Sequence, residues 1–324
     1  MRSSATVAGL SVLAALLASL PWVVSDYGLG FMINLMCYVV LTVAWALFSG
    51  TTRYVSLATS AFFGIGAYTV AMLVKMMPVY AIFCVAAVVG TAVAFIVGLV
   101  TLRISGMFFV IFGFGLSEMI RQLMVWWEIN KTHTMGRYVF AFGNLLIYEH
   151  LLALTVLVLL TDWLVRRSRL GLALRVIGDD ETVAHQVGIN VPLTKVTMFV
   201  VSSVFMTLSG AVMAPRFGYI NPNIAFNPLI SFQVVIMALL GGMHRPWSPL
   251  LGVVPLILLS EMLQVRFPFW YNVLLGFVFM VIVYMLPRGI SGLVEDGRGL
   301  LARSRARLAT PSRAAERRRH GRAA

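Results

Sequence analysis

Residues 79–102 read VYAIFCVAAVVGTAVAFIVGLVTL, a run without a single charged side chain. A helix needs about 20 apolar residues to cross the hydrocarbon core of a bilayer, so this stretch predicts a membrane-spanning helix. Nine further apolar stretches lie at 5–24, 29–49, 57–74, 106–127, 147–165, 194–215, 229–242, 249–265 and 269–286. The sequence therefore predicts an all-α polytopic membrane protein with about 8–10 transmembrane helices, some of them broken or re-entrant.

The composition agrees with a protein that lives in a bilayer. Of the 324 residues, 60% are hydrophobic and 11% are charged, whereas a soluble domain carries about 25% charged residues. Cys37 and Cys84 both fall inside apolar stretches, so they are interpreted as small core residues and not as a disulfide or a metal pair.

Basic residues indicate which loops face the cytoplasm. With ten crossings both termini lie on one side, and Arg53, Arg103, the arginines of 166–175, Arg245 and the C-terminal tail share that side. Excess arginine marks cytoplasmic loops, so both termini are predicted to be cytoplasmic. Residues 288–324 hold ten arginines and three acids, which predicts a basic, disordered tail behind a membrane domain over 1–287. Such a tail touches anionic lipid headgroups, and no nucleic-acid role is predicted.

The span 57–74 is rich in small residues. It contains Ser60, Gly64 and Gly66, and Ser56 immediately precedes it. Small residues three or four positions apart let helices pack closely in lipid. Alternatively, they mark a broken helix that lines a pathway, because irregular backbone is tolerated at membrane depth only where protein or a water-filled cavity covers it. Both interpretations stay open here, and the four residues are candidates for a substrate pathway.

The span 106–127 carries Gly113, Gly115, Glu118 and Arg121, and for it we favour a broken helix that lines the pathway. Glu118 and Arg121 are three positions apart, so they share a helix face and can pair. An ionisable pair at this depth is expected to face the interior of the protein. These four residues complete the predicted pathway set.

One polar segment, residues 166–192, interrupts the apolar spans midway along the chain. Asp179 or Asp180 can cap a short helix that begins near Glu181, and Gly188 is a natural helix stop in the left-handed conformation. An apolar face on this helix would be formed by Val183, Ala184, Val187 and Ile189. The helix could lie on the membrane surface, but its short length and acidic start favour a docking helix for a soluble partner.

Several motifs resemble one known family in the right order. The stretch 167–191 resembles the cytoplasmic loop of the LivM-type permeases of branched-chain amino-acid ABC importers. Further matching motifs are S-L-x-x-x-A-F-F-G-I-G-A-Y-T (Ser56–Thr69), L-R-I-S-G-M-F-F-V-I-F-G-F-G-L-S-E-M-I-R (Leu102–Arg121), G-Y-I-N-P (Gly218–Pro222), L-L-G-G-M-x-x-x-W-x-P-L-L-G (Leu239–Gly252) and M-L-P-R-G-I (Met285–Ile290). Together they cover about residues 30–292.

The resemblance implies how the protein works and with what. In that family the loop helix seats in a groove of an ATPase subunit, so the implied coupling residues are Arg175, Asp180, Glu181, Ala184 and Gly188. The implied partners are separate ABC ATPase subunits, a second permease subunit and a periplasmic or extracellular substrate-binding protein. The implied location is a bacterial-type inner membrane. The implied cargo is branched-chain or other hydrophobic amino acids, with urea and short amides as the alternative.

The chain lacks the motifs of an enzyme. It has no G-x-x-x-x-G-K-[ST], so any ATP must be bound by a partner subunit. No catalytic residue, metal site or cofactor of its own is predicted, and a membrane enzyme would require a convergent polar cluster that the sequence does not suggest. A self-sufficient secondary transporter or channel is the alternative class, with Glu118, Arg121 and Glu261 as its ion site.

Overall fold

The computed structural model describes Pro21 and residues 24–101, 106–140, 142–242 and 248–285. Its elements follow in the order α1 (Asp26–Trp45), a π-helical turn (Ala46–Gly50), α2 (Thr59–Leu73), α3 (Val79–Thr101), α4 (Met107–Trp127), a second π-helical turn (Glu128–Thr132), β1 (Arg137–Tyr138), α5 (Asn144–Arg167), α6 (Arg169–Asp179), α7 (Glu181–Gln186), α8 (Val191–Phe217), β2 (Tyr219–Ile220), α9 (Pro222–Ala225), α10 (Pro228–Gly241), α11 (Ser248–Arg266) and α12 (Tyr271–Met285).

The predicted fold class is confirmed. Within the described residues, seven helices are long and apolar enough to cross a membrane, and two shorter apolar helices, α2 and α12, accompany them. Nine of the ten predicted apolar stretches therefore correspond to helices. The predicted first span, 5–24, and the predicted tail, 288–324, lie outside the described residues.

Helix α8 lies at the centre of the bundle, where it packs against α1, α2, α3 and α5. Its side chains are buried along most of its length. A Cβ on Gly66 of α2 would overlap the backbone carbonyl of Thr207, and one on Gly210 would overlap the carbonyl of Phe63. Helices that approach this closely are typical of membrane bundles, where packing replaces the hydrophobic effect as the force for association.

The close crossing of α2 and α8 gives a first testable prediction. We expect Gly66→Ala to lower the free energy of unfolding by about 1–3 kcal/mol, because the added methyl group must push two backbones apart. Gly115→Ala is the matched control, since no atom of the described residues lies within 4 Å of its added Cβ. Thermal unfolding in detergent, followed by tryptophan fluorescence, measures both. Equal melting temperatures for the two variants would contradict the crossing.

The chain is irregular immediately before α2. Residues 53–58, which are called the extended segment below, have no regular secondary structure. Helix α2 itself has 15 residues, which make a helix about 22 Å long, shorter than the hydrocarbon core of about 30 Å. The Trp45 indole donates to the Ser56 carbonyl at 2.7 Å, and the Ser231 hydroxyl lies 2.9 Å from the Leu57 carbonyl, positioned to donate to it. Helix α2 is continuous from Thr59 to Leu73, so the irregular backbone lies at 53–58, at the start of the stretch 57–74 and not within its helix. Protein groups satisfy this irregular backbone, as burial requires.

The break expected at 106–127 is absent, so that prediction is wrong. Helix α4 is continuous from Met107 to Trp127. A glycine removes no backbone hydrogen bond and destabilises a helix by only about 1 kcal/mol, so tertiary packing readily keeps the helix continuous. At Gly113 an added Cβ would lie 3.1 Å from the Leu57 backbone nitrogen, which gives this glycine a packing role beside the extended segment 53–58.

A buried carboxylate organises the end of the bundle where α4 finishes. Glu128 is fully buried and accepts hydrogen bonds from the Tyr68 hydroxyl at 3.3 Å and from the Gly136 backbone N–H at 2.8 Å. Arg137 Nε lies 3.8 Å from the same carboxylate. Beside it, β1 pairs antiparallel with β2. A charge buried this completely is tolerated only when it is paired and hydrogen-bonded, so Glu128 fixes the loop between α4 and α5.

Candidate functional site

The polar loop 166–192 folds into two helices, α6 and α7, instead of the single short helix that the sequence predicted. Asp180 separates them and accepts hydrogen bonds from the backbone N–H groups of Thr182 at 2.7 Å and Val183 at 3.3 Å. These bonds hold the pKa of the Asp180 carboxyl below its usual value. Helix α7 gives way to a turn at Gly188, whose φ of 82° is the left-handed conformation expected of a stop. The predicted capping and stop residues are thus confirmed as local structure.

Ala184 belongs to a small hydrophobic core inside the loop. Its exposure is 0%, and it packs with Ile177 of α6 and Val191 of α8. Val183 and Val187 are exposed instead, Val187 by 71%. The single apolar face predicted for this helix is therefore divided, because α6 covers one side of α7. Of the predicted apolar face, Val183 and Val187 are therefore the residues open to another protein.

Three side chains, which we call the anchor triad, tie the loop to the membrane domain: Tyr54, Glu181 and Lys195. Lys195 is 2% exposed, forms an ion pair with Glu181 and lies 4.1 Å from the centre of the Tyr54 ring. The Tyr54 hydroxyl donates to the Glu181 carboxylate at 2.7 Å. A buried ammonium is stable only with such compensation.

The anchor triad keeps Glu181 ionised. Burial alone would raise the pKa of the Glu181 carboxyl, but the hydrogen bonds from Lys195 and Tyr54 outweigh it and lower the pKa below its ordinary value. The stability that this carboxylate contributes is present above the ordinary pKa of glutamate and is lost only as the pH falls through the lowered value. Burial and the nearby Glu181 raise the pKa of the Tyr54 hydroxyl, so it remains a hydrogen-bond donor.

A second contact joins α6 to the start of the extended segment 53–58. Arg53 donates to Asp179 at 2.8 Å, with both side chains mostly exposed, and an added Cβ on Gly178 would overlap the Thr51 carbonyl. Arg175, a predicted coupling residue, donates to the Arg166 carbonyl at 3.4 Å and so stays within the loop. A cleft of about 440 Å³ lies between α6, α7, the extended segment and the start of α4.

The structure separates the predicted pathway residues into two groups. The first group consists of positions in the packed core: Ser56, Ser60, Gly64, Gly66 and Gly113. Ser60 donates its backbone N–H to Ser231 Oγ at 2.8 Å, and Gly64 lies against the ring of Phe226. These contacts give the first group packing and hydrogen-bonding roles. A role in transport stays a prediction for them.

The second group lies on one side of α4 and consists of Gly115, Glu118 and Arg121. Arg121 Nε donates to Glu118 Oε2 at 2.9 Å, and Arg121 also donates to the side chain of Asn223. The pair that the spacing predicted is present. It does not face the interior completely, because the side chains of Glu118 and Arg121 are 37% and 23% exposed. Charges near the middle of a spanning helix require water or a second protein surface beside them.

Sequence reasoning missed four residues of this site: Tyr54, Lys195, Asn223 and Ser231. One of them left a signal in the sequence, since Lys195 is one of only three lysines and stands in an apolar span. A buried charge in such a span predicts a partner, but nothing in the local sequence identifies that partner as Glu181.

Comparison with known proteins agrees with this architecture. A family model described as "Branched-chain amino acid transport system / permease component" matches residues 27–283. The chain belongs to this family. The high-affinity branched-chain amino acid transport system permease protein LivM of Salmonella typhimurium is 24% identical, over 87% of this permease and 74% of that protein. LivM of Escherichia coli is also 24% identical over the same shares.

A third relative matches less than half of the permease. LivH of Escherichia coli is 26% identical over 146 residues, which are 45% of this permease and 44% of that protein. No solved structure matches. The family assigned from ordered motifs is therefore confirmed, and the chain is a multi-pass membrane transport protein.

Proposed function

We propose that this permease carries branched-chain or other hydrophobic amino acids as one subunit of an ATP-driven importer in a bacterial-type inner membrane. Its partners in this proposal are separate ABC ATPase subunits, a second permease subunit and an outer substrate-binding protein. The observation that carries the proposal is the loop 166–192, which is folded, charged and bound to the membrane domain by the anchor triad. The sequence contains no P-loop, so in this proposal the ATP site lies on another chain.

The contacts suggest how force from an ATPase would reach the membrane. Val183 and Val187 offer the exposed apolar side of α7 to a groove. Movement of α7 would pass through Glu181 to Lys195 on α8 and to Tyr54 on the extended segment 53–58. Because α8 lies at the centre of the bundle, a displacement there is transmitted to α1, α2 and α3. The predicted coupling residues would thus hold the loop together, and the exposed valines would meet the ATPase.

The proposed pathway runs along the exposed side of α4. Glu118, Arg121 and Gly115 lie there, and a second permease subunit placed against them would remove the charges from lipid. Both termini are proposed to lie in the cytoplasm, because the arginine-rich loops share that side.

The first experiment identifies the partners. The full-length chain carries an affinity tag and is purified from its own membranes in mild detergent, and mass spectrometry identifies the proteins that accompany it. We expect a P-loop ATPase and a second permease. Recovery of this chain alone, from a preparation in which other complexes survive, would contradict the proposal and favour a self-sufficient transporter.

The second experiment tests the cargo. The purified subunits are reconstituted in proteoliposomes. Uptake of tritiated leucine is then measured in the presence of ATP and of the outer substrate-binding protein. Excess valine is expected to compete, and excess urea is not. If urea is carried and leucine is not, the amide alternative replaces the amino-acid proposal.

A further inference from the structure

A polar cavity of about 610 Å³ lies between α1, α8, α10, α11 and α12, which we call the distal cavity. It sits at the end of α8 that is opposite the loop 166–192, because Arg216 in its wall is next to the last residue of that helix. The polar and charged residues that line it include Asn34, Tyr38, Arg216, Gln233, Glu261 and Tyr271. Arg216 is exposed near the end of α8 and Glu261 is half-buried, so the cavity opens at this end of the bundle. Neither the loop nor the α4 side uses these residues.

Two opposite charges line the distal cavity. Arg216 donates from Nη1 to the Gly30 carbonyl at 2.8 Å, and Glu261 accepts from the Tyr27 hydroxyl at 3.0 Å. Among the residues that the structure describes, Arg216 and Glu261 form no direct ion pair with each other. A guanidinium has five N–H donors and a carboxylate has about four acceptor positions. Both groups therefore retain capacity for a ligand.

The other described residues that line the distal cavity are uncharged. Tyr38 donates to the side chain of Gln233, and Gln233 donates to the Tyr271 hydroxyl at 3.1 Å. These polar groups satisfy one another and need no ligand. Beside them the wall is apolar and is formed by Leu41, Phe63, Met213, Leu229 and Ile230. A ligand that fits must combine one positive group, one negative group and an apolar body.

We propose that the distal cavity binds a zwitterionic amino acid with an apolar side chain within a single permease chain. Arg216 receives the carboxylate, Glu261 receives the ammonium, and the wall around Leu41 and Phe63 receives the side chain. The amino-acid class rests on the proposed function. The site itself goes beyond that function, because it lies away from the α4 side and from the loop 166–192.

Equilibrium binding without ATP tests this site. Binding of tritiated leucine is measured on the full-length chain in nanodiscs, with two unlabelled competitors. The first is 4-methylpentanoate, which lacks the ammonium group, and the second is isopentylamine, which lacks the carboxylate. A hydrogen bond between charged groups changes affinity about 10- to 100-fold, so we expect both competitors to bind more weakly than leucine by that factor. In Glu261→Gln the advantage of leucine over 4-methylpentanoate is lost. In Arg216→Gln the advantage over isopentylamine is lost.

Matched controls separate binding from folding. Glu149→Gln and Arg266→Gln make the same charge changes outside the distal cavity and should leave leucine binding unchanged. If the two charges only hold neighbouring helices against α1, both cavity variants would lower the affinity for all three ligands equally and would also lower the melting temperature. That result would overturn the proposal. Absence of leucine binding to the folded wild-type chain also overturns it. ATP-driven uptake that continues despite this absence would leave the importer proposal intact.

Discussion

Glu181→Ala is expected to lower the free energy of unfolding by about 3–5 kcal/mol and to abolish ATP-driven uptake, because it leaves the Lys195 ammonium buried without a counter-charge. The reverse change, Lys195→Met, should have a smaller effect. Glu181 is partly exposed, so its carboxylate can find water once the ammonium is gone, whereas Lys195 is 2% exposed and cannot. The double variant Glu181→Gln, Lys195→Met should recover stability relative to Glu181→Ala, since no buried charge remains.

A surface ion pair in the same loop supplies the control. Asp179→Asn breaks the ion pair with Arg53, in which both side chains are mostly exposed. Exposed ion pairs contribute about 1 kcal/mol or less to the free energy of unfolding. Thermal unfolding and leucine uptake are measured for all variants in the reconstituted complex. Wild-type uptake in a folded Glu181→Ala variant would show that the loop does not drive transport, and it would support the self-sufficient transporter.

Ala184→Asp is expected to abolish uptake while the protein remains inserted in the membrane. Ala184 is completely buried between Ile177 and Val191, and an unpaired carboxylate there carries a penalty of several kcal/mol. The loss should remain local, because these three residues form a cluster separate from the core of the membrane domain. Helix α7 would then detach from α6, and the ATPase would have no ordered helix to bind.

Val187→Asp places the same charge on the exposed side of α7 and separates folding of the loop from docking. Both variants should lose the co-purifying ATPase, but only Ala184→Asp should make residues 166–192 sensitive to limited proteolysis. If Ala184→Asp retains full uptake, the small core has no part in coupling. A normal ATPase yield with Val187→Asp would place the docking surface elsewhere on the loop.

Local chemistry made much of the architecture predictable. Apolar runs located the spans because a bilayer accepts little else, and α3 matches its predicted stretch within a residue. The cap was predicted at Asp179 or Asp180, and Asp180 takes that position, while Gly188 was predicted as the stop. Both were predictable because each acts on backbone within a few positions of itself. Glu118 and Arg121 were paired for the same reason, since three residues make almost one helical turn.

Contacts between distant parts of the chain were not predictable. Tyr54 and Glu181 are 127 positions apart, and neither lies in a pattern that points to the other. The glycines of α4 suggested a break because the packing of Gly113 against Leu57 and Ala58 leaves no trace in the local sequence. The exposure of Glu118 likewise depends on which helices stand beside α4, and periodicity carries no information on that.

The extended segment 53–58 also constrains the order in which the protein can be assembled during synthesis. Ser231 bonds to the Leu57 carbonyl and to Ser60, and it is 171 positions further along the chain than Ser60. Ribosomes add about 5–20 residues per second, so roughly 10–30 s separate the appearance of the two partners. Helix α2 is too short to cross the bilayer by itself, and during that interval the backbone that leads into it lacks its hydrogen bond from Ser231. Neighbouring helices or the insertion machinery must therefore cover the polar backbone of 53–58 until the second half of the protein has been inserted.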